Sequence, residues 1–406
     1  MKHVNLPVVV KEVPVVVVVV TKRYVLTALL LLIQLSATHA AVLPEDRADA
    51  LYHSYDGGGI EISGPSILVR KGDDTSFSVF ANHYVDNITS ASIDVEALGA
   101  SQYTENREEQ TVGIDYLHGK SILSLSHTNS AENDYVAEST HVGLSMDMLG
   151  GLTTVSMGFS RGSDDVFRMT RVDGVKVRDP NFAEQAERRT YQLGLTQVLT
   201  KSLVMAVNFE TVTDEGYLNN PYRQVRYNNG GANGFQVENY PNTRTSRALG
   251  AQLRYFLPYR AAVHVSGRVF EDDWGVTAVN SEFGYSQPLG DHLILDFRYR
   301  VYSQTHADFY RDLFDRPDQQ NYYARDKELS SFSNTTMGVT LSYEFIKQGW
   351  GFIDKASANF SYDRVSFEYE NFRDIREDPD VSYNLGEEPL YSFTADIVQF
   401  YLSLWY

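Results

Sequence analysis

The residues best placed to do chemistry are charged ones that alternate with apolar ones. In Leu293-Ile-Leu-Asp-Phe-Arg-Tyr-Arg300, one parity carries Leu293, Leu295, Phe297 and Tyr299, and the other carries Asp296, Arg298 and Arg300. The same split places Asp115, Glu210, Arg254, His264, Arg268 and Glu344 on polar parities of other alternating segments. An arginine turned toward mid-bilayer lipid costs ~2–4 kcal/mol, so in a membrane barrel these nine side chains must face inward. There they line a water-filled path and set its selectivity, or pair with one another and lock a closed barrel.

Other chemistries find less support. The sequence has no GxSxG, no glycine-rich phosphate loop and no HExxH. No two of its ten histidines have i, i+4 spacing. A Ser/His or Asp/His set at one rim would signal hydrolysis. Asp214, Glu215, His306 and Asp308 all fall near one rim, but spacing alone does not bring them together. No catalytic residue, metal ligand or cofactor is therefore assigned. Asp214-Glu215 with Asn219-Asn220, Asp308 with Asp312 and Asp315, and Asp374 to Asp380 offer the oxygen ligands calcium prefers. None follows an ordered ligand spacing, and loops held by Arg–Asp pairs such as Arg311 with Asp315 explain them as well.

Alternation recurs along the chain, because successive strand side chains point to opposite faces. Fourteen such segments cover about 76–88, 108–117, 121–130, 136–147, 152–163, 188–199, 203–213, 244–256, 261–272, 275–287, 292–304, 333–345, 354–367 and 391–406. Tight turns (His118-Gly119-Lys120, Thr200-Lys201-Ser202, Leu257 to Arg260, Pro288 to Asp291) alternate with long connections at 164–187, 214–243, 305–332 and 368–390. Short turns on one side and long loops on the other is the layout of an outer-membrane barrel. The expected fold is an all-β, antiparallel, up-and-down transmembrane barrel over residues 76–406.

Both termini agree. Val398, Phe400, Leu402, Leu404 and Tyr406 form one apolar face ending on an aromatic residue, which resembles the assembly signal of outer-membrane barrels and implies recognition by the barrel-assembly machinery. Lys22-Arg23, the apolar run Val25 to Ile33 and small residues up to Ala40 read as a secretory leader over residues 1–40. Without those residues the chain keeps 31 basic and 52 acidic side chains, a net of −21, which argues against nucleic acid as a partner. There is no cysteine, hence no disulfide and no thiolate metal site.

Residues 41–75 fit this scheme least. Pro44 to Leu51 reads as a short helix and Asp56-Gly-Gly-Gly59 as a flexible break. Gly64-Pro65 interrupts the stretch from Ile60 to Val69, since proline is poorly tolerated inside a ladder. The preferred expectation is a periplasmic or lumen-filling plug below about fourteen strands. The alternative is two further strands, making sixteen.

Several stretches also resemble a known family: Glu45 to Gly59, Gly64-Pro-Ser-Ile-Leu-Val-Arg-Lys-Gly72, Ala91 to Val95, Asp115-Tyr-Leu-His-Gly119, Thr213 to Arg223, Ala307-Asp-Phe-Tyr310 and Ala324 to Ser330. They are similar to a proteobacterial outer-membrane family, the domain of unknown function numbered three-five-seven-zero. The resemblance implies an outer-membrane location and no established activity. It also implies gene neighbours that include a small lipoprotein, a thioredoxin-like protein and a flavin transferase, hence a redox-linked envelope partner. From the residues themselves, the expected function is a pore or transport component for an unidentified solute. The rivals are an anchoring barrel for an envelope partner and, third, a barrel enzyme.

Overall fold

The computed structural model describes residues 41–406 apart from residue 74, residues 91–102 and residues 377–381. The leader expected over residues 1–40 lies outside the described residues. In chain order the strands are β1 (Arg47–Gly57), β2 (Ile60–Gly72), β3 (Phe77–Ser90), β4 (Tyr103–His118), β5 (Ser121–Ala131), β6 (Tyr135–Met148), β7 (Thr153–Val172), β8 (Val175–Thr200) and β9 (Leu203–Gly216). They continue as β10 (Gln224–Asn229), β11 (Ala232–Val237), β12 (Thr243–Phe256), β13 (Ala262–Asp272), β14 (Thr277–Leu289), β15 (Leu293–Gln304), β16 (Phe332–Ile346), β17 (Lys355–Arg373) and β18 (Leu390–Trp405). Sixteen of them close an antiparallel barrel in sequence order, sealed where β1 pairs with β18; β10 and β11 form a separate two-stranded sheet.

All fourteen expected segments are barrel strands. The plug is not there: residues 47–72 form the β1–β2 hairpin and supply the two strands that complete sixteen. The expected helix at Pro44 to Leu51 is instead the approach to β1 and its first residues. The expected flexible break is the hairpin turn, with Gly58 at φ 60° and Gly59 at φ 75°. Two-residue hairpin turns that match strand twist need positive φ at both central positions, which glycine accepts. Proline interrupts a ladder rather than a strand here. Between β2 and β3 the register runs Ser63↔Asn87, then Ser66↔Tyr84, while the β1–β2 register is unbroken from Arg47 to Gly57.

The connection expected over 164–187 is a second correction. β7 and β8 continue paired, with one bulge at Phe167/Met169, to a tight turn at Asp173-Gly174. This hairpin stands above the outward apolar residues Met157, Phe159, Leu195 and Leu193. The Phe159 and Tyr191 rings pack at 5.2 Å just below Arg161 and Arg189, in the manner of an interfacial aromatic girdle.

Outward faces are apolar where lipid would lie. Leu341, Val339 and Met337 of β16, Phe297 and Val301 of β15, and Leu253 and Leu249 of β12 are all exposed. A soluble sheet would bury this face; a membrane barrel presents it to hydrocarbon. Leu295→Arg, on the same face as Phe297, is accordingly expected to destabilise the folded barrel by ~2–4 kcal/mol. Urea titration of the refolded barrel in lipid vesicles measures this, and an unchanged midpoint would reverse the facing of β15.

Apolar packing is concentrated at the end of the barrel that carries the long loops. Tyr240, Trp274, Val276, Ala307, Phe309, Tyr310, Ala324 and Leu329 form one buried cluster drawn mostly from these loops. Tyr369, Phe372 and Tyr391 form another at the tops of β17 and β18. A third joins Tyr55, Val365 and Ala395 on the inner wall.

Candidate functional site

The nine expected lumen residues all lie on barrel strands, and the structure pairs most of them. Arg298 of β15 forms an ion pair with Asp363 of β17 at 2.5 Å. Gly338 of β16 lies between them in register, and a Cβ there would stand 1.9 Å from an Asp363 carboxylate oxygen. This glycine is what lets the pair reach over β16. Glu210 of β9 accepts from Arg268 of β13 at 2.8 Å and from Gln192 at 2.9 Å. Asp115 is held by Arg70 of β2 and by Ser124 at 2.6 Å. His264 meets Glu282 at 3.1 Å, Asp296 accepts from Ser286, and Glu344 pairs with Lys347 at the short-turn end at 3.0 Å. Arg254 stays exposed opposite His264, and the buried Nε of Arg300 has no hydrogen-bond partner among the described residues.

The geometry of these pairs matters. Each joins positions no more than two strands apart in barrel order, or neighbours within one turn. They run along the wall instead of across the lumen, and so leave the centre of a sixteen-stranded barrel free of their side chains. Barrels of this size leave room for an aqueous channel, whereas eight strands do not.

A cluster on the first hairpin is invisible in the sequence as long as residues 41–75 are read as a plug. His53 of β1 is buried, bonds Asp86 at 2.8 Å and the Tyr84 hydroxyl at 3.1 Å, and stacks on the Tyr84 ring at 5.0 Å. Arg107 approaches the other Asp86 oxygen at 3.7 Å. The alternation of β1 (Leu51, His53 and Tyr55 on one parity) was the available signal.

At the long-loop end, the connections fold together as a cap. Arg226 of β10 is fully buried and donates to Asp312 and, from Nη1 at 2.6 Å and Nη2 at 3.0 Å, to Glu388. These three residues come from three different long loops. Arg325 binds Asp312 at 3.1 Å and the Arg373 carbonyl at 2.8 Å, over the Phe372 ring at 4.4 Å. Arg223 pairs with Asp326, and Tyr310 donates to the Asn371 carbonyl at 2.9 Å. Burial alone would raise the Glu388 carboxyl, but the Arg226 hydrogen bonds hold it below its ordinary value. Buried charges are tolerated only when paired and hydrogen-bonded, so each carboxylate here fixes one loop to an arginine of another.

Several of the acidic positions weighed for calcium are engaged by nearby side chains. Asp214 is held by Arg188 at 2.6 Å, Asp312 by two arginines, Asp374 by Arg376 at 2.6 Å, and Asp315 by Gln319 at 3.0 Å, not by Arg311 as expected. Asp380 lies outside the described residues. Among the described residues, no group of three or more His, Asp or Glu is arranged to hold a metal ion.

Beneath the cap lies a cavity of about 450 Å³. It is lined by Arg107 of β4, Arg188 of β8 and Asp214 of β9 on the wall, and by Asn219 and Asn220 from the loop above. Tyr222 from the same loop donates to Asp134 at 2.7 Å, which ties the loop to the β5–β6 turn. In that turn burial pushes the Glu132 carboxyl up to about 7. The folded state therefore holds the proton more tightly than the unfolded chain does, so its stability falls as pH rises from ~4.5 toward 7 and the deficit persists above 7. Protection factors of residues 131–135, with the base-catalysed rise of intrinsic exchange divided out, should be larger at pH 5.5 than at pH 8, and Glu132→Gln should remove most of that difference. An equal pH dependence in the variant would rule Glu132 out as its source.

The terminal residues lie on the seam. Val398, Phe400, Leu402 and Leu404 share the outward face of β18 and stand opposite Ser54, Tyr52, Ala50 and Ala48 of β1. Tyr406 donates from its hydroxyl to the Arg70 carbonyl at 3.1 Å and from its backbone N–H to the Asp46 carbonyl at 3.3 Å.

A family model described as "Protein of unknown function (DUF3570)" matches residues 62–362. No curated protein matches the sequence. Similar solved structures include a bacterial polysaccharide outer membrane secretin, 9% identical, covering 89% of this chain and 99% of that one, with a TM-score of 0.49. The siderophore receptor PirA from Pseudomonas aeruginosa is 10% identical over 82% of this chain and 60% of that one, with a TM-score of 0.44. The CymD monoaromatic hydrocarbon channel is 10% identical over 90% and 89%, with a TM-score of 0.40.

Proposed function

We propose that this chain, which belongs to the DUF3570 family of unknown function, is an outer-membrane pore or transport component whose outer mouth is closed by its own loops. The observation that carries the reading is the lateral pairing of lumen charges. A purely structural barrel gains most from pairs that cross and fill its interior. Here the pairs lie along the wall under a separate, ion-paired cap. The outward apolar face supports lipid as the surrounding medium, and in this reading the terminal strand face and Tyr406 are the part offered to the barrel-assembly machinery.

The reading is not of an enzyme. The hydroxyl at the His53–Asp86 pair is the Tyr84 phenol, ordinarily protonated at neutral pH. A lipoprotein or thioredoxin-like partner, implied by the family resemblance, would make the barrel an anchor. Planar-bilayer recording separates the two roles. Purified barrel should give small, flickering conductance that grows when the cap is loosened. Silence from both intact and cap-loosened barrels, with a stoichiometric envelope protein in mild-detergent preparations, would replace the pore by the anchor.

A further inference from the structure

We infer that the cavity under the cap is a binding site for a neutral, polyhydroxylated solute of the size of a short oligosaccharide; the inference rests on the pore reading and names the solute class that the mouth admits. Its volume of about 450 Å³ lies within the ~300–1,000 Å³ usual for small-molecule pockets.

The state of the charges in the wall decides the ligand class. Arg188 donates from Nε to Asp214 at 2.6 Å, Arg107 pairs with Glu109, and Arg244 pairs with Asp272 at 2.6 Å. Every arginine lining the cavity thus already has a carboxylate. An anionic ligand would have to displace one of these carboxylates and leave a poorly solvated charge behind, which is expensive. It would also meet Glu138 and Asp164 in the same lining. A cation would meet Asp164, which binds the Tyr135 hydroxyl, and is the rival that titration decides. A hydroxyl-rich neutral ligand displaces nothing. Each guanidinium has five N–H donors and each carboxylate about four acceptor sites, so paired groups still offer hydrogen bonds to hydroxyls. Those bonds are of the stronger, charge-assisted kind.

The rest of the lining fits the same ligand. Tyr217 borders the cavity and gives half-buried ring surface of the kind that C–H faces of a sugar cover. Trp274, 4% exposed and lying under the Arg244 guanidinium at 4.7 Å, sits in the wall close enough to report on what binds. Tyr217 is fixed against Phe182 at 5.4 Å, and Trp274 is fixed by its Nε1 bond to the Thr243 carbonyl at 2.8 Å. Both rings are therefore set before any ligand arrives, which lowers the ordering cost of binding.

Trp274 also supplies the readout. The chain has three tryptophans, and the other two, Trp350 and Trp405, lie at the short-turn end of the barrel. The full-length double variant Trp350→Phe/Trp405→Phe, its folding checked by heat-modifiable mobility, isolates Trp274 emission. Titration with maltotriose should give a saturable change at millimolar concentration, while L-glutamate and putrescine should give none. Arg188→Met should weaken maltotriose at least tenfold. The paired variant Arg188→Met/Asp214→Leu, which leaves no lone buried carboxylate, should do the same if the single variant misfolds. Absence of a saturable maltotriose signal, or tighter saturation by glutamate or putrescine, overturns the inference. Conductance is recorded on the same preparation. A barrel that conducts but ignores maltotriose overturns the site and keeps the pore; one that binds maltotriose and never conducts keeps the site and removes the pore.

Discussion

A chain lacking residues 45–72 should fail to assemble at all. β1 carries the seam: it pairs with β18 from Arg47↔Trp405 to Gly57↔Ala395 and with β2 over the same eleven residues. β2 in turn pairs with β3 from Ile60 to Gly72. Removing both strands strips one edge each from β18 and β3. In hydrocarbon an unpaired backbone group costs several kcal/mol, and each bare edge holds several. A fourteen-stranded closure would need β3 to meet β18 directly, although their alternation and turns are set for β2 and β1. The deletion also removes both carbonyls that accept from Tyr406, those of Asp46 and Arg70. Trimming Leu404 to Tyr406 should be the milder lesion, because most of the β1–β18 register survives it. Outer-membrane fractionation and heat-modifiable mobility give the measurement. A truncated chain that still shows a heat-modifiable band in the outer membrane would return residues 45–72 to the role of a dispensable plug.

Legibility in the sequence depends on which features leave a local pattern. Strands facing lipid on one side and water on the other must alternate, so the fourteen such segments were visible residue by residue, as in β15 and β16. β1 and β2 alternate less clearly: small or polar residues such as Ala48, Ala50, Ser54 and Ser63 stand on their outward face, and Pro65 sits within β2. Gly58-Gly59 and Asp173-Gly174 are each a two-residue hairpin dipeptide and mark these turns locally. The shared parity of the strand charges was legible, since an arginine cannot face lipid cheaply. Their partners were not. The Arg298–Asp363 pair depends on register across β16 and on the missing side chain at Gly338, and neither has a local signature. The cap was least legible, because its ion pairs join residues as distant as Arg226 and Glu388, and nothing near either residue in the chain points to the other.

The cap makes the sharpest functional prediction. Arg226→Ala should raise single-channel conductance severalfold while the barrel stays folded. The Arg226 side chain is entirely buried and binds carboxylates from two other loops. Removing one partner of a buried pair typically costs ~3–5 kcal/mol, because the remaining charge stays unsolvated. Asp312 keeps Arg325, but Glu388 loses the arginine that holds its carboxyl down. The cheapest relief is for the loop carrying Glu388 to move into water, which unfastens the cap from the β17–β18 side. The barrel itself should be indifferent, since Arg226 lies in the β10–β11 sheet outside the closed ladder. Arg226→Lys keeps the charge and loses the two-pronged contact with Glu388, so its conductance should fall between wild type and alanine. Acid should act in the same direction. A depressed carboxyl contributes stability above its ordinary value near 4.5 and loses it as pH falls through the lowered folded value. The latch should therefore hold through neutral and mildly acidic pH and loosen only below the ordinary carboxylate range. Conductance recorded from pH 7 down to pH 3 in wild type and Arg226→Ala tests both claims. If Arg226→Ala retains wild-type conductance in a fully heat-modifiable barrel, the loops do not gate the mouth and the closed cap is a fixed part of the wall.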